Sequence, residues 1–185
     1  MRRMMLALLM GLMAAGIVWV NPAHATVPDA VRKALQERFR LSRVAEHGEV
    51  VEGRVFNPGT ILILQADRIP AKQFRVFRDM SKSPRLHHLR DYAPVTIAAD
   101  GRLTAAPADF TLNKGTRLVV LDLNVKADRV HLFTHTLEPV RLADGKAGYG
   151  CTEFIFPFDP GALEQGDPFA IQDRIEQWLA VASAQ

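Results

Sequence analysis

The chain reads as an α+β domain: a small antiparallel β-barrel or strongly curled sheet, SH3-like in size, flanked by an N-terminal and a C-terminal helix. Three observations lead there. Residues 28–41 and 167–183 carry apolar side chains at helical spacing. Residues 49–158 break into short β-rich runs separated by turn residues. Within them, residues 116–139 form two long alternating runs joined by a short polar turn, the pattern of a hairpin.

Taken in order, residues 1–25 are expected to be a secretory signal peptide. Arg2 and Arg3 give a positive start, Met4 to Val20 are uncharged and apolar, Pro22 stops the helix, and Ala23-His24-Ala25 is a small-x-small cleavage pattern. The competing reading is an uncleaved anchor, because an apolar run of about 17 residues is near the lower limit for a bilayer span. No cysteine follows the run for lipidation, and no twin-arginine pattern precedes it, so the general secretory route to the periplasm or beyond is expected. Residues 26–185 then form a single mature domain.

In the first helix, Val31, Ala34, Leu35 and Phe39 share a face opposite Arg32, Lys33, Gln36 and Glu37, with Pro28 suited to the first turn. Residues 49–56 are a candidate strand, and Asn57-Pro58-Gly59 turns the chain into residues 60–65 (TILILQ), apolar enough to be covered on both faces. Residues 95–99 and 102–105 flank Asp100-Gly101, which predicts a type I′ hairpin. In residues 116–125, Val119, Leu121, Leu123 and Val125 alternate onto one face; Asp122 and Asn124 fall on the other with His131, Phe133 and His135. Residues 149–158 put Phe154, Phe156 and Phe158 on a core face and Cys151, Glu153 and Ile155 opposite. Asp167 caps the last helix, where Pro168 occupies the first turn and Ile171, Ile175, Trp178, Leu179 and Ala182 share a face.

These stretches resemble a set of uncharacterised exported bacterial proteins. The resemblance is carried by residues 38–44 after the first helix, by Pro58 to Gln65, by the hairpin from Gly115 with Asn124 to Asp128, by the aromatic strand at 154–158 and by the terminal helix. It implies an architecture and carries no catalytic residue.

The formal charge of +3 includes Arg2 and Arg3, so the mature chain is nearly neutral and its overall charge selects no partner. Locally the charge is uneven. From Arg68 to Arg90 there are seven basic residues against Asp79 alone, and from Glu138 to Glu176 there are eight acids against Arg141, Lys146 and Arg174. The stretch 68–90 is expected to be an exposed basic loop, with Arg75, Arg78, Lys82, Arg85, His87, His88 and Arg90 as candidate binding residues for an anionic envelope component or an acidic protein surface. The plainer reading is a solvated surface, or a loop that meets the acidic region of its own fold. Nucleic acid is not expected of an exported chain without interleaved stacking aromatics.

Candidate catalytic residues are few: Cys151 with His131, His135 and Asp122, for a Cys/His-dependent hydrolase or transferase. His131 and His135, four apart on a strand, lie about 13 Å apart and do not chelate one ion. His87-His88 with Asp91 is weak spacing for a metal, and no metal or cofactor is expected. Cys151, the single cysteine, is expected to be buried. The sequence therefore favours a non-enzymatic binding or assembly accessory of the cell envelope, with the hydrolase and a structural self-associating domain as alternatives; oligomeric state is left open.

Overall fold

Most of the strands that alternation marks in the sequence join one strongly curled, half-barrel sheet on which the helices pack, and two two-stranded ribbons are separate from it. The computed structural model describes residues 27–45, 53–74, 91–142, 144–159 and 161–183. Residues 1–25, expected to be a signal peptide, residues 49–52 of the first candidate strand and all seven candidate binding residues between 75 and 90 lie outside them. The elements are α1 (Asp29–Arg38), β1 (Arg43–Val44), β2 (Val55–Asn57), β3 (Ile61–Leu64), β4 (Ile69–Gln73), β5 (Ala93–Ile97), β6 (Leu103–Ala105), β7 (Phe110–Leu112) and β8 (Arg117–Val125). There follow β9 (Arg129–Thr136), β10 (Val140–Arg141), β11 (Ala147–Gly148), β12 (Gly150–Pro157), α2 (Ala162–Gln165), α3 (Pro168–Glu176) and β13 (Leu179–Val181).

The main sheet runs β13-β3-β8-β9-β12, and the far edge of β12 is shared end to end by two strands. Its start pairs antiparallel with β4, and Thr152 to Ile155 pair parallel with β5. Strand β7 extends β4 and β6 extends β5. One parallel pair thus sits in a sheet expected to be wholly antiparallel. A parallel neighbour requires a long return path, which short-range turn signals do not reveal.

One face of the sheet carries the main core. Leu62, Leu64, Leu118, Val120, Leu132, Phe154 and Phe156 meet Val31, Leu35 and Phe39 from the α1 region and Ile171 and Ile175 of α3. Arg38 ties α1 to α3 through a bidentate pair with Glu176, at 2.6 and 2.8 Å. Arg174 ties α3 to the sheet by donating to the carbonyls of Pro157 and Ile97, with its guanidinium 4.4 Å from the centre of the Phe158 ring. Burial holds the Arg174 pKa below its usual value, opposed by Asp159.

Three local expectations are corrected. A bulge between Val120 and Asp122 breaks the β8 alternation, so Leu118 and Val120 face the core with Leu123 and Val125, while Val119 and Leu121 face the other side. The Asp100-Gly101 turn is not type I′, since Gly101 has φ +79° but Asp100 does not share a positive φ. The Ala98–Arg102 hydrogen bond instead closes a three-residue loop. The run from Trp178 leaves helix after Glu176 and forms β13 against β3, because its apolar residues suit either periodicity and the sheet edge supplies the pairing. As expected, Asn57-Pro58-Gly59 carries the chain from β2 into β3; β2 itself pairs with β1, and β3 with β8 and β13.

That crossing needs glycine. A Cβ on Gly59 would lie 2.2 Å from the Arg40 carbonyl oxygen and 2.5 Å from that of Leu41. Thr60 clamps the same point, donating to Arg38 O and accepting from Arg40 N, and Ser42 Oγ accepts from Gly59 N.

Candidate functional site

The period of two in β9 turns Val130, Leu132 and Thr134 to the core and His131, Phe133 and His135 to the outer face. On the same outer face β12 presents Cys151, Glu153 and Ile155, in the register Cys151↔His135, Glu153↔Phe133 and Ile155↔His131. Beyond the bulge, β8 places Asp122 opposite Phe133 and Asn124 opposite His131. The four candidate catalytic residues therefore share one face, but they do not form one constellation.

His131 pairs with Glu153, Nδ1 to Oε1 at 2.7 Å. With the carboxylate ionised, Nδ1 carries the donated proton. Nε2 of this buried imidazole takes no hydrogen bond. Phe133 stacks beside His131, at 6.2 Å between ring centres, and meets Tyr92 edge to face at 5.1 Å. His135 is fixed differently: Nδ1–H donates to the Thr136 carbonyl at 2.7 Å, and its ring lies 4.9 Å from that of Phe74 and 5.0 Å from that of Tyr149. Directly across, Cys151 is wholly buried among Val44, Phe74, Val119 and Leu121. Asp122 is exposed, and its Oδ1 accepts from Leu123 N at 2.8 Å, so this carboxylate serves the bulge. Glu153 as the partner of His131 was missed by sequence reasoning, though each residue was assigned to its own outward face; only the β9–β12 register joins them. Among the described residues, no group of three or more His, Cys, Asp or Glu side chains is placed to hold a metal ion.

Both ends of the basic segment are rooted on this face. Phe74, the residue before it, donates its amide to Tyr149 O at 2.8 Å and packs on His135. After it, Lys72 and Asp91 close the base through a 2.6 Å ion pair, Tyr92 meets Phe133, and Ala93 takes its place beside Thr152. Beside Phe74 and Tyr149 lies the two-stranded ribbon β1–β2, whose Gly53 comes so close that a Cβ would be 2.8 Å from the Tyr149 ring.

The acidic stretch 138–176 is largely engaged elsewhere. Glu138 pairs with Arg117, Asp144 with Lys146, Glu153 with His131 and Glu176 with Arg38. Asp167 accepts from Phe169 N as the N-cap of α3. The Lys146 amide and side chain hold Asp144 below the usual carboxylate range.

Among the described residues, no helix is long and apolar enough to cross a membrane. Comparison with protein-family models, curated proteins and solved structures finds no match to this chain.

Proposed function

We propose that the chain is an exported envelope protein of the binding or assembly type, directed by residues 1–25 to the general secretory route and engaging an anionic partner through the basic segment. Its scaffold is a small curled barrel of SH3-like size between N-terminal and C-terminal helices, built by residues 26–185 as one domain. Arg75, Arg78, Lys82, Arg85 and Arg90, with His87 and His88, supply the cationic surface.

The observation that carries this reading is the fate of the acids. A basic run of this density more often meets its own fold's carboxylates than a ligand. Here Glu138, Asp144, Glu153 and Glu176 pair with Arg117, Lys146, His131 and Arg38, none of which belongs to the basic segment. Arg68 and Lys72 are part of the scaffold, Lys72 being neutralised by Asp91. Four acids of the stretch 138–176 are thus matched to partners outside the basic segment, which supports an external anion as the partner of its positive charge.

The test is retention of an envelope fraction by the exported protein across a salt series. Affinity is expected to fall about tenfold or more as ionic strength rises from about 0.01 to 0.15 M, the range over which the screening length shrinks from about 30 to 8 Å. Arg85→Glu with Arg90→Glu should abolish it. Salt-insensitive retention, or none, would reject the reading. The thiol-dependent hydrolase remains the second reading because Cys151 stands directly opposite His135, but the thiol is wholly buried.

A further inference from the structure

The β1–β2 ribbon turns Ser42, Val44, Ala45 and Val55 toward the sheet, and its alternation turns Leu41, Arg43, Arg54 and Phe56 outward. Phe56 is the extra residue of a register shift: Val55 and Asn57 partner the consecutive residues Val44 and Arg43, so nothing lies opposite Phe56. Leu41 and Phe56 are each 56% exposed, two of the four large apolar side chains that the described residues leave in solvent. Arg43 and Arg54 are exposed on the same outward face with no acidic partner among the described residues, whereas Arg38, Arg102, Arg117 and Arg129 each face a carboxylate.

The geometry points to this ribbon face as a membrane-docking patch for an anionic phospholipid surface: Arg43 and Arg54 engage phosphates while Phe56 and Leu41 enter the headgroup boundary. The inference rests on the anionic-partner reading above and commits it to lipid. A soluble phosphate or an acidic glycan would satisfy the guanidinium groups but give Phe56 and Leu41 nothing apolar to enter; a bilayer surface supplies both layers at the right depth. The inner side of the same ribbon packs on Phe74, from which the basic segment departs. Glu46, Glu49 and Glu52 lie between β1 and β2 in sequence, and removing their negative charge lowers the net repulsion from an anionic surface, which provides an independent lever.

Flotation of the exported protein, its first residue checked by mass, with vesicles of phosphatidylcholine alone or mixed with phosphatidylglycerol provides the test. Binding is expected to the mixed vesicles and not to phosphatidylcholine. Leu41→Ser with Phe56→Ser should weaken it about tenfold or more at constant charge. Arg43→Glu with Arg54→Glu should weaken it comparably, and Glu46→Gln with Glu49→Gln and Glu52→Gln should strengthen it. Unchanged urea midpoints in these variants separate lost docking from lost fold. The inference is overturned if ribbon variants float as the parent does, or if the parent ignores both vesicles and is retained instead by an acidic glycan or protein. Loss on Arg85→Glu with Arg90→Glu while ribbon variants bind normally removes the ribbon and keeps the proposed function. The reverse pattern keeps the ribbon and removes the basic segment.

Discussion

Replacing Thr60 by valine tests the clamp that launches the ribbon. Thr60 is 6% exposed, and its Oγ1 donates to Arg38 O at 2.8 Å while accepting from Arg40 N at 2.9 Å. Thr60→Val keeps the shape and strands two backbone groups at the end of α1. The backbone bond from Thr60 N to Arg40 O, at 2.9 Å, survives and holds the chain in place. Each unsatisfied buried group costs about 1–3 kcal/mol, and water reaches this partly buried point, so the expected loss is about 2–4 kcal/mol. With a urea slope of about 2 kcal/mol/M, the midpoint should fall by about 1–2 M with the slope unchanged. Thr60→Ser keeps the hydroxyl and should cost about 1 kcal/mol for its lost methyl. Thr104→Val, on the exposed strand β6, is the control and should stay within about 0.5 kcal/mol. Equal midpoints for Thr60→Val and Thr104→Val would refute the clamp.

Two further outcomes follow from the geometry. Cys151 should react with a maleimide only as fast as the protein opens, with labelling accelerating in urea; rapid labelling of the native protein would place the thiol at the surface and favour the hydrolase reading. Asp128 should titrate below the ordinary carboxylate range, chiefly because Arg129 donates to it. A depressed native value means a contribution to stability present above the unfolded pKa, about 3.9, and lost as pH falls through the native one. Arg129→Ala should therefore raise the Asp128 midpoint in a carboxyl NMR titration and lessen acid sensitivity there, whereas an unmoved midpoint would reject the attribution.

Much of the fold was legible where one physical rule decided the outcome. The Phe154–Phe156 row had to be core because period-two burial allows nothing else, and Val31, Leu35 and Phe39 had to share a buried face. What stayed hidden was set by pairing. Strict alternation assigns Leu121 to the side of Leu123, and only the inserted residue of the bulge reverses it. Residues 178–181 suit helix or strand alike until β3 offers an edge. In the candidate site, the outward faces of His131 and Glu153 were each readable, but their contact depends on a register that no local signal encodes. The exposed pair Leu41 and Phe56 escaped notice because β-branched and aromatic runs look buried until a register shift turns one residue out.

The shared edge of β12 also dictates the order in which the molecule can be completed. As the chain emerges from its N-terminus, β4, β5 and β9 precede the strand on which all three dock, and β3 waits still longer for β13. Such distant pairings slow folding, since the entropy of closing long loops is lost before the contacts repay it. A nascent chain interrupted before residue 150 lacks the member that joins its two halves. The junction between the two halves is completed only by residues after 150, and the β13 edge later still.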